Sequence, residues 1–278
     1  MVCPSASLDA ESLAKAERGA EQLEAAGCRV RFDVGHAQRR WRGYYAGDDQ
    51  ARLDAFVAAC TEPGVDAVWW ARGGGGAGRI AGAAIAALRG VAPRVLVGFS
   101  DATALLAALG SLGWLVFHGP VLSSFGRAKV PEMLAILRGD TQEVRFAPGT
   151  GPSVTGVLRG GNLMTLASLV GRPWCPAGAD AIWLLEEVDE DDRRVDRCLE
   201  QLREAGCFGR SQAVWAGPLY RSLQVDRTAE EAGLPVITGA PAGHEGPMAL
   251  LPLGARVTLD ARAGRLVGLH PWVERLHG

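Results

Sequence analysis

Apolar and polar positions alternate in two periods along this chain, and the two halves differ in how they do so. Over residues 11–26, Leu13, Ala16, Ala20, Leu23 and Ala26 recur at the spacing of one helix face, with Gly27 as a stop. A strand is expected over 28–32, a second helix over 48–59, and a buried strand at Ala67-Val68-Trp69-Trp70-Ala71. Residues 80–88 read as a helix. The run Arg94-Val95-Leu96-Val97-Gly98-Phe99-Ser100-Asp101 then reads as a buried strand feeding a helix over 102–109, with Gly110 and Gly113 as stops. Strand–helix alternation of this kind implies a parallel sheet covered by helices. After a Pro/Gly-containing stretch at 146–152, read as a linker, short strands are expected at 153–158, 181–185, 213–216, 235–238 and 255–260, with a helix over 193–205. The expected fold is therefore α/β: an N-terminal parallel-sheet domain over 1–145 and a smaller mixed-sheet domain over 153–278.

Composition narrows the function classes. The chain has 278 residues, 48% hydrophobic and 22% charged, as in ordinary globular proteins. A net charge of −2 gives no basic face for nucleic acid. No apolar run approaches the length of a membrane span, and no secretory signal opens the sequence. The six cysteines have neither CxxC nor His-paired metal spacing, so reduced thiols in the cytoplasm, with no metal and no cofactor, are expected.

Ser100 sits where the strand turns into the helix. This is the placement of an activated nucleophile, and equally that of a helix N-cap. Five histidines could serve as its base. His36 lies in an Arg-rich loop, and His270 and His277 lie near the C-terminus. His118 follows a buried-strand pattern, while His244 lies in a loop after the strand Val236-Ile237-Thr238. An apolar strand runs into Glu186-Glu187-Val188-Asp189-Glu190, where an orienting acid and a helix-capping acid are both possible. Arg72-Gly73-Gly74-Gly75-Gly76 lacks the Gly-Lys-Ser/Thr of a phosphate loop and the acidic partner of a dinucleotide site. It reads either as a flexible turn or as a source of backbone donors facing Ser100.

In this order the segments resemble the LD-carboxypeptidase family of serine peptidases, which includes muramoyltetrapeptide carboxypeptidases and microcin-immunity hydrolases. The resemblance rests on Tyr45-Ala46-Gly47-Asp48-Asp49-Gln50-Ala51-Arg52, Ala71-Arg72-Gly73-Gly74, Gly98-Phe99-Ser100-Asp101, His118-Gly119-Pro120, Gly160-Gly161-Asn162-Leu163, Leu185-Glu186-Glu187-Val188 and Gly243-His244. It implies Ser100 as nucleophile, His244 as base and Glu186 as its orienting acid, with oxyanion donors from the backbone of Asp101 and Gly74. It also implies an active site between the two domains, usually in a homodimer. The sequence departs from the family pattern in three places. Gly75 replaces the tyrosine of Arg-Gly-Gly-Tyr-Gly, Glu187 stands where the family has aspartate, and the first strand before Pro4 is almost absent.

The expected activity is hydrolysis of the L,D-peptide bond to the terminal D-alanine of muropeptide tetrapeptides in peptidoglycan recycling. An alternative within the same chemistry is cleavage of a peptidyl-nucleotide amide, with Trp41, Tyr44, Tyr45 or Trp174 stacking the base. A non-catalytic muropeptide-binding protein is the alternative from another class. A Gly-x-Ser-x-Gly esterase is disfavoured, because Ala102 stands in for the last glycine. Arg72 is a candidate for binding the free carboxylate of a peptide substrate, as a guanidinium does bidentately; its rival role is a structural ion pair.

Overall fold

The computed structural model describes residues 1–32, 34–219 and 224–273. The chain divides into two compact units, Met1–Met133 and Leu134–Gly278. In the first, strands Ala67–Trp69, Val95–Gly98 and Val116–His118 pair in parallel. Val2 adds one parallel bridge to Trp70, which is what remains of the first strand. Helices Ala10–Ala25, Asp49–Thr61, Ala77–Leu88 and Thr103–Gly110 alternate with these strands, as the periodicity predicts. Two helices start on aspartates: Asp9 accepts from the Ser12 N–H and Asp48 from the Ala51 N–H, each at 2.8 Å. Asp48 opens the segment that ends in Arg52. That arginine is fully buried, donates to the Gly47 carbonyl at 2.6 Å and pairs with Asp49. Its role is to close the loop before the helix.

The strand expected over 28–32 does not form. Cys28, Val30 and Phe32 are only half-buried and Arg29 and Arg31 are exposed, so neither face of this stretch meets a core. Its backbone bonds include the Met1 amino group on the Arg31 carbonyl at 2.6 Å and the Cys28 N–H on the Leu23 carbonyl at 3.0 Å.

The second unit is built on a seven-stranded mixed sheet. Val236–Ile237, Ala213–Leu219, Ala181–Glu187 and Val154–Asn162 run parallel. Arg256–Asp260, Arg265–Gly268 and Glu143–Arg145 then continue the sheet antiparallel. Ala181–Glu187 is buried at every position, as a central parallel strand covered on both faces must be. Helix Asp192–Glu204, capped by Asp191, buries Val195, Cys198, Leu199 and Leu202 against Trp183 and Leu185. The stretch at 146–152 is part of this unit. The Phe146 ring packs tilted against Trp215 with centroids 5.3 Å apart, the Phe146 N–H reaches the Gly264 carbonyl, and Gly149 N–H reaches the Ala261 carbonyl. A Pro/Gly pattern resembles a linker, but here it marks tight backbone packing. With the division falling at Met133, the second unit is also the larger of the two.

Gly160 shows how tightly the central strands meet. Its φ is +120°, and a Cβ there would lie 2.0 Å from the Leu184 carbonyl oxygen. Gly160→Ala therefore combines backbone strain with a clash that no side chain can relieve. It should cost roughly 2–4 kcal/mol, read as a lower midpoint in urea unfolding.

Candidate active site

Ser100 is positioned by backbone geometry. Strand Val95–Gly98 ends in the extended residue Phe99, and Ser100 then turns at φ +61° before a short 3-10 turn leads into helix Thr103–Gly110. A left-handed non-glycine residue costs on the order of 1 kcal/mol, so the surroundings must hold it there. The Ala102 N–H bonds to the Phe99 carbonyl at 3.2 Å, and Gly119 N–H to the Gly98 carbonyl at 3.0 Å. Gly98 has no room for a side chain, since a Cβ would sit 2.7 Å from that of Ala102. The N-cap of the helix is Ala102, without a side-chain cap, so Ser100 is not the capping residue. A strained strand-to-helix turn of this kind is a geometry that can project a side chain from a sheet edge.

The glycine loop comes up against this turn. A Cβ on Gly73 would stand 3.1 Å from Ser100 Cβ and 3.3 Å from its Oγ, while Gly74 and Gly76 have φ of +114° and +125°. The loop is tied down on both sides. Ala6 N–H bonds to the Gly73 carbonyl, and the Asp101 carboxylate accepts the Ala77 N–H at 2.8 Å. Burial pushes the Asp101 carboxyl up, and the Ala77 N–H, the Ser5 side chain, the Gly76 N–H and the Arg52 charge oppose that rise. Asp101 thus anchors the end of the glycine loop with its side chain while its own backbone forms the serine turn. Arg72 donates to the Ser7 carbonyl at 2.8 Å, which commits one arm of its guanidinium to the same segment.

In the second unit, Glu186 and His244 meet. Glu186 Oε2 lies 3.0 Å from His244 Nδ1, with Glu186 fully buried and His244 partly exposed. A carboxylate accepts, so Nδ1 donates and the proton-accepting position of the ring is Nε2. Glu187 points elsewhere. It accepts from Asn162 Nδ2 at 3.0 Å, Met164 N–H at 2.8 Å and its neighbour Val188 N–H at 2.9 Å, holding the start of helix Leu163–Ala167. Burial raises the Glu187 carboxyl above its ordinary value, and these three donors pull against it. The two glutamates occupy opposite faces of one strand, and the pairing with Ala213–Leu219 shifts between Leu185 and Glu187.

Gly217 belongs to this site, although nothing about its motif singled it out. A Cβ there would sit 3.2 Å from Glu186 Cβ and 3.4 Å from the Ala242 carbonyl. A glycine inside an apolar strand is the sequence mark of such an approach.

The chain matches the LD-carboxypeptidase N-terminal domain over residues 1–119 and the C-terminal domain over 155–259. The chain belongs to the LD-carboxypeptidase family. It is 33% identical to the murein tetrapeptide carboxypeptidase of Pseudomonas aeruginosa, over 74% of this chain and 71% of that protein. The crystal structure of muramoyltetrapeptide carboxypeptidase from Oxalobacter formigenes superposes with a TM-score of 0.79 at 26% identity, covering 97% and 98% of the two chains. MccF in complex with glutamyl sulfamoyl guanosine shares the fold at a TM-score of 0.86 and 20% identity, over 98% and 96%. The protein is accordingly a serine-type carboxypeptidase.

The other histidines are placed differently in this LD-carboxypeptidase. His118 is fully buried beside the serine strand, its ring edge-on to Phe99 at 5.9 Å. His36 bonds to the Cys3 carbonyl at 3.2 Å, His270 is exposed, and His277 lies outside the described residues. Among the described residues no cluster of His, Cys, Asp and Glu could hold a metal ion, and no helix is long and apolar enough to cross a membrane.

The two glutamates should separate cleanly by mutation. Glu186→Gln should lower kcat by about 10²–10⁴-fold with little change in KM and a near-native Tm. Glu187→Gln replaces one acceptor by a donor among three donors, so it should lower Tm while sparing the kcat of the folded fraction. A raised carboxyl contributes its stability below the ordinary glutamate pKa and loses it as pH climbs through the raised value. Wild-type unfolding free energy should therefore decline over that interval, and Glu187→Gln should remove that part of the pH dependence.

Proposed function

We propose that this enzyme hydrolyses the L,D-peptide bond to the terminal D-alanine of muropeptide tetrapeptides, with Ser100, His244 and Glu186 as its triad. The observation that carries the reading is the buried Glu186 carboxylate on His244 Nδ1 in a chain of this family. The strained turn at Ser100 adds to it. Ser100 Oγ attacks the carbonyl carbon of the L-residue while His244 Nε2 takes the hydroxyl proton. The oxyanion accepts from the backbone N–H groups of Asp101 and Gly74. The C–N bond breaks as His244 passes the proton to the leaving amine of D-alanine. Water, deprotonated by His244 Nε2, then attacks the acyl carbon; the bond to Oγ breaks and His244 returns the proton to Ser100 Oγ. Glu186 keeps the imidazole in one tautomer and stabilises its charged form.

The names of the relatives support a muropeptide as substrate, and recycling of peptidoglycan is the setting that the family resemblance suggests. Free cysteines suit a reducing cytoplasm, and the family resemblance suggests a homodimer. The peptidyl-nucleotide alternative is less well supported, because three of its four stacking candidates, Trp41, Tyr45 and Trp174, already carry guanidinium groups. Arg42 and Arg79 lie 4.5 and 5.4 Å from the Trp41 ring, Arg52 lies 5.0 Å from Tyr45, and Arg172 lies 5.5 Å from Trp174.

Incubating the purified protein with a muropeptide tetrapeptide and following D-alanine by mass spectrometry tests the reaction. Ser100→Ala should abolish turnover to within about 10³–10⁴ of the uncatalysed rate and stay folded. Turnover at the wild-type rate in that variant would rule out the serine mechanism. Arg72→Lys should raise KM for the free acid more than for a C-terminal amide; equal losses on both, with a lower Tm, would leave Arg72 as the anchor of the 5–9 segment alone.

A further inference from the structure

The four glycines of the loop have different physical reasons to be glycine, and Gly75 is the odd one. Gly74 and Gly76 have positive φ, and a Cβ at Gly73 would crowd Ser100. Gly75 has neither constraint: a Cβ there would meet the Tyr44 ring, 3.1 Å from Cε1. At Gly74 the nearest side-chain atoms are Ala6 Cβ and the Tyr44 hydroxyl, the latter 2.9 Å from where a Cβ would be. The loop is thus shaped to receive the Tyr44 phenol against the backbone that faces the serine. Tyr44 itself is 46% exposed, which is unusual for a ring so closely fitted, and its hydroxyl has no hydrogen-bond partner among the described residues.

On the reading that Ser100 is the nucleophile of a peptide hydrolase, we infer that the Tyr44 hydroxyl donates a hydrogen bond to the free C-terminal carboxylate of the substrate. Tyr44 is then a specificity residue that selects a free acid at the glycine loop. Two charged groups of opposite sign act on the phenol. Arg72 is close enough to act on the phenol, and the nearby Asp101 carboxylate is buried and already accepts the Ala77 N–H. Burial foremost, and the Asp101 charge after it, hold the phenol above its ordinary pKa against Arg72, so it keeps its proton at neutral pH. The backbone holds the residue in place: Ser7 N–H bonds to the Tyr44 carbonyl at 2.9 Å, and Tyr44 N–H to the Trp41 carbonyl at 3.2 Å.

Four proteins test this: wild type, Tyr44→Phe, Gly75→Val and the double variant. Each is assayed on a free-acid tetrapeptide, with the C-terminal amide as competitive inhibitor, and by labelling with a small fluorophosphonate. Tyr44→Phe should raise KM about tenfold with kcat within twofold, as loss of one hydrogen bond to a charged group does. The amide's inhibition constant and the labelling rate should stay within twofold of wild type. Gly75→Val, which displaces the ring without demanding a forbidden φ, should raise KM similarly, and the double variant should be no worse than either single one. A wild-type KM in Tyr44→Phe would overturn the inference. So would amide binding weakened as much as the free acid, or a Gly75→Val defect undiminished in the Tyr44→Phe background. Failure of the serine reading looks different: fluorophosphonate labelling would persist in Ser100→Ala whatever stands at 44.

Discussion

Backbone approaches the Ser100 and Glu186 side chains more closely than most residues with a Cβ do. A Cβ at Gly73 would be 3.1 Å from that of Ser100, and one at Gly217 would be 3.2 Å from that of Glu186. Loops normally stand away from sheet edges, because unpaired backbone groups prefer water. Here the loops are brought in and pinned by hydrogen bonds. Ala6 holds Gly73, Asp101 holds Ala77, and the Ala216 carbonyl holds Ala240 ahead of His244. The candidate catalytic side chains therefore gain their position from the polypeptide itself. A side chain fixed by its backbone needs little reorganisation when charge develops beside it.

The same economy explains why two adjacent glutamates have opposite fates. Both are buried, and a buried carboxylate is tolerated only with partners. Glu187 finds three donors, two of them at the start of a short helix, and becomes part of the scaffold. Glu186, one residue earlier and on the other face, has the imidazole of His244 as its partner. Its second oxygen has no hydrogen bond among the described residues, so the attraction of this carboxylate for a positively charged imidazole is shared with few competitors. A scaffold acid and a candidate catalytic acid differ only by which side of the pleat they face.

Much of this was legible along the chain. The helical and strand periods located the alternation of the first half, the mixed sheet of the second, and the turn that carries Ser100. The order of short motifs pointed to the LD-carboxypeptidase family before any contact was known. The choice between nucleophile position and helix cap at Ser100 could not be made locally, because serine is common at both; the backbone shows only that Ala102, and not Ser100, caps the helix Thr103–Gly110. The stretch at 146–152 and the glycines after Arg72 look alike in composition. Yet the first packs into a sheet and the second abuts a serine, since glycine records only that space or a rotation is needed and not what fills it.

Apolar period and turn residues are local properties, set by the geometry of one strand or one helix, and so the sequence by itself determined the elements, their order and the class of fold. Which glutamate reaches His244, what Asp101 holds, why Gly217 and Gly75 have no side chain, and what becomes of residues 28–32 were decided only in three dimensions. Each depends on a partner tens of residues away in the chain: 58 separate Glu186 from His244, and 24 separate Ala77 from Asp101. Hydrogen-bond direction and van der Waals contact act over a few ångströms, and only the folded backbone brings such residues within that range.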